Sequence, residues 1–392
     1  MSNSLEAYRP PAYFIRKRFF RNKAAVFGLI VIVIAVSIAL LGFLIIPDKT
    51  PDANEGSVRI SKKAPGFESL IIKIRQKYEA PKASFFSRLY FGEESPYIIE
   101  PIKSYHFVGD EVYFNLIGSG AGTPVKQRIL DISRPTYASS LVVLGGMDSL
   151  PPAEVMYQLR IDSIGNDTTV RYLNPDKEYI EIKLSELKEE FKENNIEKRK
   201  FWLGTDRSGR DVLSRLLYGT RISLMVGLIA VLISVFLGVT LGALAGYFGG
   251  WLDDVITWLM TVVWSVPSIM LVIAISIAFQ DRGLAVTFVA VGFTMWVEIA
   301  RVVRGQMKAT RKKLYIRSAK AFGLRNDRII FSHILPNILG PIIVSITANF
   351  ANAILIEAGL SFLGLGVQLP TPSWGMMLQQ GFRSTDSWHL IF

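Results

Sequence analysis

The 392-residue chain contains no cysteine, which excludes disulfides and thiolate metal sites while leaving the redox compartment open. Histidine occurs only three times, and no metal-ligand cluster is expected. The sequence has no Gly-Lys dipeptide, so no G-x-x-x-x-G-K-[ST] loop exists to cradle nucleotide phosphates. The chain is therefore read as a non-enzyme, with no catalytic, cofactor-binding or metal-binding residue of its own.

Apolar sequence is abundant: hydrophobic residues make up 50% of the chain. Residues 24–46 form a run long enough to cross a hydrocarbon layer of about 30 Å as a helix. Pro47-Asp48-Lys49 offers no small-residue cleavage site, so the run reads as an uncleaved anchor and not a signal peptide. Further apolar runs at 222–246, 255–279, 284–303 and 338–356 give five expected spans.

The net charge of +11 is concentrated in two places. One is the segment 1–23, with Arg16, Lys17, Arg18, Arg21 and Lys23. The other runs from Arg301 to Arg328 and includes Arg304, Lys308, Arg311, Lys312, Lys313, Arg317, Lys320 and Arg325. Threading the spans from a cytoplasmic N-terminus puts both clusters inside, as juxtamembrane basic residues require, and puts 47–200 outside. Charge so placed speaks for a membrane and against nucleic acid.

The segment 47–200 is long enough for a separate domain. Phe67 to Tyr78 has helical spacing. Tyr97–Phe107, Glu111–Ile117, Val125–Ile132, Val155–Ile161 and Thr168–Leu173 are short, rich in β-branched or aromatic residues, and bounded by turn formers. A polar helix over about Ser185–Asn195 leads back to the membrane. The expectation is an α+β domain; it holds no nucleophile elbow, and its lone His106 reads as a surface residue.

Within the membrane part, Gly238, Gly242 and Gly246 recur every four residues and suit close helix packing. Pro267 should kink the third span beside Trp264, Ser265 and Ser268. Glu298, Asn349, Asn352 and Glu357 are polar groups in apolar spans. With Trp264 and Pro267 they are the candidate pathway or gating residues; Glu298 has Arg301 and Arg304 as alternative ion-pair partners.

The segment KKLYIRSAKAFGLRNDRIIFSHILPN places Tyr315, Ala319 and Phe322 on one helical stripe. Gly323 can end that helix, and a second runs from about Asn326 to Leu335 before Pro336. Such an elbow suits a partner's groove, or alternatively an anionic lipid surface. It resembles the coupling loop of ABC-importer permeases, with Ala319, Gly323, Leu335 and Pro336 in register, while Arg317, Ser318 and His333 depart from the pattern. The runs FWLGTDRSGRDVLSRLLYGTRISLMVG, GYFGGWLD and ILIEAGLSFLGLGVQLPTPSWGMML resemble the dipeptide/oligopeptide/nickel branch of that family, in its C-type subunit.

That resemblance covers about residues 201–392 and implies an all-α polytopic bundle of the type I ABC-importer permease kind, interrupted by the α+β segment. It implies a permease subunit for peptides in a bacterial plasma membrane. Its partners would be a second permease subunit, two ATPase subunits or domains that bind ATP and Mg, and an external solute-binding protein. Coupling would pass through Tyr315, Ala319, Phe322, Gly323, Leu335 and Pro336. It also implies a sixth span starting near residue 388, so a longer natural product is expected. The competing readings are an ATP-independent secondary transporter and a membrane-anchored extracytoplasmic binding protein.

Overall fold

The computed structural model describes residues 17–76, 84–118, 124–135, 157–161, 168–174, 177–279, 283–384 and 386–390. Arg16, Val155 and the last two residues, on which expectations fell, lie outside them. The first apolar run forms helix α1 (Lys23–Ile45), capped by Asn22, whose side chain accepts from the Ala24 and Ala25 N–H groups at 3.1 and 3.3 Å. Its apolar side chains are mostly exposed, as suits a helix solvated by lipid, and only Gly42 and Phe43 are buried.

Between α1 and the next apolar helix lie two antiparallel sheets. The larger has the order β4-β3-β2-β1-β8, built from β1 (Phe67–Arg75), β2 (Tyr97–Val108), β3 (Glu111–Leu116), β4 (Val125–Arg128) and β8 (Ile196–Phe201). The smaller pairs β5 (Tyr157–Ile161), β6 (Thr168–Leu173) and β7 (Tyr179–Lys183). Among the described residues of this segment there are three α-helices: α2 (Phe85–Phe91), α3 (Ile129–Ser133) and α4 (Leu184–Asn194). Buried Leu187 and Phe191 of α4 share a core with Ile72, Phe114 and Val170.

Two local expectations are corrected here. Phe67 to Tyr78 does not start a helix: Phe67–Arg75 is a strand with partners on both sides, pairing Ile72 with Glu100 of β2 and with Ile196 of β8. The misleading spacing arises because the strand is buried on both faces. Ile71 packs with Ile60, Ile99 and Phe201, while the next residue, Ile72, enters the main core; a doubly covered strand loses the alternation that marks a half-buried one. Val125–Ile132 likewise is not one strand. It turns into α3 at Ile129, which sends Ile129, Leu130 and Ile132 into the core.

The remainder is helical: α5 (Val212–Phe248), α6 (Gly250–Ser265), α7 (Ser268–Ala278), α8 (Leu284–Arg311), α9 (Leu314–Ala321), α10 (Asn326–Arg328), α11 (Leu335–Phe362) and α12 (Trp374–Phe382). Among the described residues four helices are long and apolar enough to cross a membrane, or five if the bent pair α6–α7 counts as one span. That pair meets at 92°. The third apolar run is therefore not a kinked rod but two helices with an extended residue, Val266, between them.

The segment between spans is tied to α5 by the run Thr205–Arg215. Arg210 is buried; its Nε donates to Asp206 Oδ2 at 2.7 Å and its Nη1 to Asn54 Oδ1 at 2.8 Å. Gly209 has φ +76°, and a Cβ there would lie 1.8 Å from the Ser57 carbonyl oxygen. Only glycine permits both the backbone conformation and this crossing of chains. Asp48, just past α1, donates its N–H to Ser214 Oγ at 3.0 Å. Burial pushes its carboxyl up to about 6 against the lowering effect of hydrogen bonds from Thr50 and Glu55.

The closest helix pair is α5 with α8. A Cβ at Gly238 would sit 2.7 Å from Ile299 Cβ, at Gly242 2.6 Å from the Ala300 carbonyl oxygen, and at Gly246 2.6 Å from Met307 Cβ. The two backbones thus touch along three turns, and Ser234 Oγ adds a bond of 2.8 Å to the Gly292 carbonyl. Gly242→Leu is expected to lower stability by about 3 kcal/mol or more, because backbone cannot yield as a side-chain tip does. Gly305→Ala, with nothing within 4 Å of the added Cβ, should be neutral or slightly stabilising. Thermal unfolding of the two variants in detergent checks the contrast.

Candidate functional site

The break between α6 and α7 opens a cavity of about 410 Å³. Pro267 explains the break in part: it lacks an N–H, and its ring disfavours helical backbone at Val266. The cavity wall is completed by α8, through Thr294, Met295 and Glu298, and by α11, through Asn352, Leu355 and Ile356. Four residues singled out in the sequence, Trp264, Pro267, Glu298 and Asn352, therefore meet at one place although 88 positions separate the first from the last.

The other two lie elsewhere. Asn349 is buried, with its Nδ2 unpaired, and does not line the cavity. Glu357 is wholly buried under α12, where Ser361 Oγ donates to Glu357 Oε1 at 2.7 Å and Val367 N–H donates to Ser361 Oγ at 3.2 Å. It orders the turn after α11, and Gly375 of α12 packs against α11 itself, its absent Cβ only 2.4 Å from Ala358 Cα.

Glu298 has no side-chain partner among the described residues. Arg301 instead lays its guanidinium over the Trp264 ring, 3.6 Å from the centroid. Arg304 Nε and Lys308 Nζ each reach Asp253 at 2.5 Å. Both ion pairs open to Glu298 on sequence grounds are thus taken up by other residues, and a carboxylate stands alone at the midpoint of α8.

At the far end of α8 the chain turns into the basic elbow. In α9, Tyr315 and Phe322 are exposed, Phe322 to 84%. Ala319 is half-buried and, with Leu324 and Leu335, packs on a core of Ile316, Ile329 and Ile334. The stripe expected from spacing is therefore divided, two aromatic knobs facing out and one small residue facing in. Gly323 has φ +76° and ends α9, with its N–H on the Lys320 carbonyl at 3.0 Å.

The second half of the elbow differs from expectation. No separate helix ends before Pro336. After α10 a π-helical turn, Ile329–Ile334, runs directly into α11, with Pro336 in its first turn. The elbow is held to the α5–α6 corner by Tyr247, whose hydroxyl bonds Asn326 Oδ1 at 2.7 Å and whose carbonyl accepts from Arg311.

Sequence reading missed a second cavity, of about 440 Å³, between the Arg207–Arg210 turn and the α11–α12 region. Arg207, Arg210, Gln368, Gln379 and Arg383 line it. These residues lie up to 176 positions apart, and no local pattern joins them.

Residues 238–390 match the family described as binding-protein-dependent transport system inner membrane component, and residues 13–65 match the N-terminal TM domain of oligopeptide transport permease C. A dipeptide transport system permease protein DppC of Alkalihalophilus pseudofirmus is 44% identical over 193 residues, 49% of this chain and 63% of that protein. The oligopeptide transport system permease protein OppC of Salmonella typhimurium is 46% identical over 193 residues, 49% of this chain and 64% of that protein. DppC of Bacillus subtilis is 40% identical over 194 residues, with 49% and 60% covered. The match thus spans a little under two thirds of these relatives' length. A solved structure of the inward facing MetNI methionine ABC transporter overlaps 44% of this chain and 82% of its own at TM-score 0.37 and 15% identity. The apolar helices and these relatives together make the chain a multi-pass membrane protein.

Among the described residues, Asp253 is the one anion serving two cations of α8. Its replacement by Ala should destabilise the protein by about 3 kcal/mol, because Arg304 and Lys308 both lose a partly buried partner. Tyr247→Phe should cost about 1 kcal/mol. Differential scanning fluorimetry of the purified variants separates the two values.

Proposed function

We propose, from the premise that residues 238–390 belong to the inner-membrane-component family of binding-protein-dependent transport systems, that this chain is one of two permease subunits of an ABC importer for peptides. Peptide is delivered by an external solute-binding protein, and separate ATPase subunits, which hold ATP and Mg, supply the energy. The chain itself catalyses nothing. The membrane is a bacterial plasma membrane, the N-terminus is cytoplasmic, and the membrane helices follow the type I importer plan with the two-sheet segment outside.

The observation that carries this reading is a mechanical connection. The elbow with its exposed aromatic knobs continues through the π-helical turn into α11, and α11 carries Asn352 into the wall of the 410 Å³ cavity. Closure of the ATPases on the elbow would displace the inner end of α11 and so change the cavity, a coupling through packed elements with discrete arrangements. Tyr315, Ala319, Phe322, Gly323, Leu335 and Pro336 are the coupling residues, the two aromatics as inserted knobs and the others as the frame that presents them.

Two experiments test this. Phe322→Ala should weaken capture of the ATPase subunits by about 2 kcal/mol or more, as loss of a buried aromatic anchor does, and co-purification of the ATPase with the membrane-inserted variant reads it; undiminished capture would remove the elbow from the interface. The absence of cysteine allows single-cysteine topology mapping. A thiol from Lys103→Cys should react with an impermeant maleimide in intact spheroplasts, and one from Arg317→Cys only after permeabilisation. The reverse pattern would invert the chain.

A further inference from the structure

The importer reading leaves Glu298 without a task, although it is an ionisable side chain in an apolar helix with no ion pair among the described residues. It lies 14 residues into α8, about 21 Å along the helix at ~1.5 Å per residue, which is within the hydrocarbon layer. A lone ionisable group at that depth is expensive, and such groups mark transport paths or paired sites.

No neighbouring cation is within ion-pair distance of it among the described residues. Arg301 is committed to the Trp264 ring and Arg304 and Lys308 to Asp253. Among the residues lining the cavity, Glu298 is the only one with a formal charge, accompanied by Ser268, Thr294 and Asn352. Thr294 Oγ1 donates its proton to the Ala290 carbonyl at 2.7 Å, so its free lone pairs are acceptors. The C-terminal end of α6 and the N-terminal end of α7 meet at the same break, and their opposite poles offset each other. The one formal charge on the cavity lining is therefore negative.

We propose that Glu298 receives the α-ammonium group of the transported peptide in the cavity at the α6–α7 break, a proposal that rests on the importer reading above. An ammonium group carries one positive charge and three donors, which suits one carboxylate with neighbouring hydroxyl and amide oxygens. A resident metal ion is a poor match, since no cluster of three acidic or imidazole side chains occurs among the described residues. The volume of about 410 Å³ lies within the range of small-ligand sites, so the cavity takes the first residues of a peptide and not a folded chain. Glu298 would then be solvated when the path is open and paired when the peptide is in transit.

The test is uptake by the complete transporter in proteoliposomes, with trialanine and N-acetyl-trialanine as probes over a concentration series. Glu298→Gln should raise KM for trialanine at least about tenfold, the scale of a charge-assisted hydrogen bond, and change uptake of the acetylated peptide by less than about twofold. Glu298→Asp should recover part of the loss. Equal loss for both peptides would overturn the proposal, because the side chain would then not be reading the ammonium group. Unchanged trialanine kinetics in the Gln variant would also overturn it. So would loss of the second permease from the purified Gln complex, which would assign Glu298 to a cation of that subunit. Failure of the importer reading looks different: the wild-type assembly would then show no ATP-dependent uptake of either probe, and both readings would fall together.

Discussion

Backbone contact between α5 and α8 is the constraint from which the membrane part follows. Three glycines on one face of α5 let α8 approach until main-chain atoms touch, with the Ala300 carbonyl 2.6 Å from where a Gly242 Cβ would be. In lipid, where apolar surface is not driven together by water, such packing and the Ser234–Gly292 bond are what hold helices in place. Fixing α8 against α5 fixes its rotation. One side of α8 is then sealed by α5, and the side bearing Glu298 is left to face the break between α6 and α7.

The same contact joins the two ends of the molecule. α5 begins in the Asp206–Arg210 tie to the two-sheet segment and ends at Tyr247, which holds Arg311 and Asn326. Asp253 secures α6 to α8 with two cations. The corner of α5, α6 and α8 is thus fastened by glycine packing, ion pairs and a carbonyl cap, and forms the frame against which another element can move.

How far the sequence disclosed this depends on whether the information is local. The long apolar helices were legible because hydrocarbon thickness sets a run length: α5, α8 and α11 contain the expected runs, and α1 all but its last residue. Gly238, Gly242 and Gly246 were legible as a packing face from spacing alone. The Phe67–Arg75 strand was misread because burial on both faces removes its period. The break at Pro267 was foreseen, but its 92° angle depends on what the second half packs against. Trp264, Pro267, Glu298 and Asn352 could be nominated by chemistry; that they share a cavity and that Glu357 does not is a matter of tertiary placement. The cavity of Arg207, Arg210 and Arg383 gave no signal, since its parts come from two distant loops.

The element suited to move is α11. A π-helical turn at Ile329–Ile334 carries one residue more per hydrogen-bonded turn than the α-helix, and Pro336 and Pro341 each remove a backbone donor just after it. The stretch between the π-helical turn and Pro341 therefore lacks several regular α-helical backbone bonds, while Asn337 Nδ2 reaches back to the His333 carbonyl at 2.7 Å as a side-chain brace. By contrast α8 carries no proline and is clamped at its inner end. Under the proposed coupling, a force applied at Phe322 would meet a clamped α8 and an α11 interrupted by prolines, and the two helices carry Glu298 and Asn352 to the lining of one cavity. Under that proposal the carboxylate would stay with the frame while the amide moves with the lever, so the shape of the site, and not its charge, is what such a force would change.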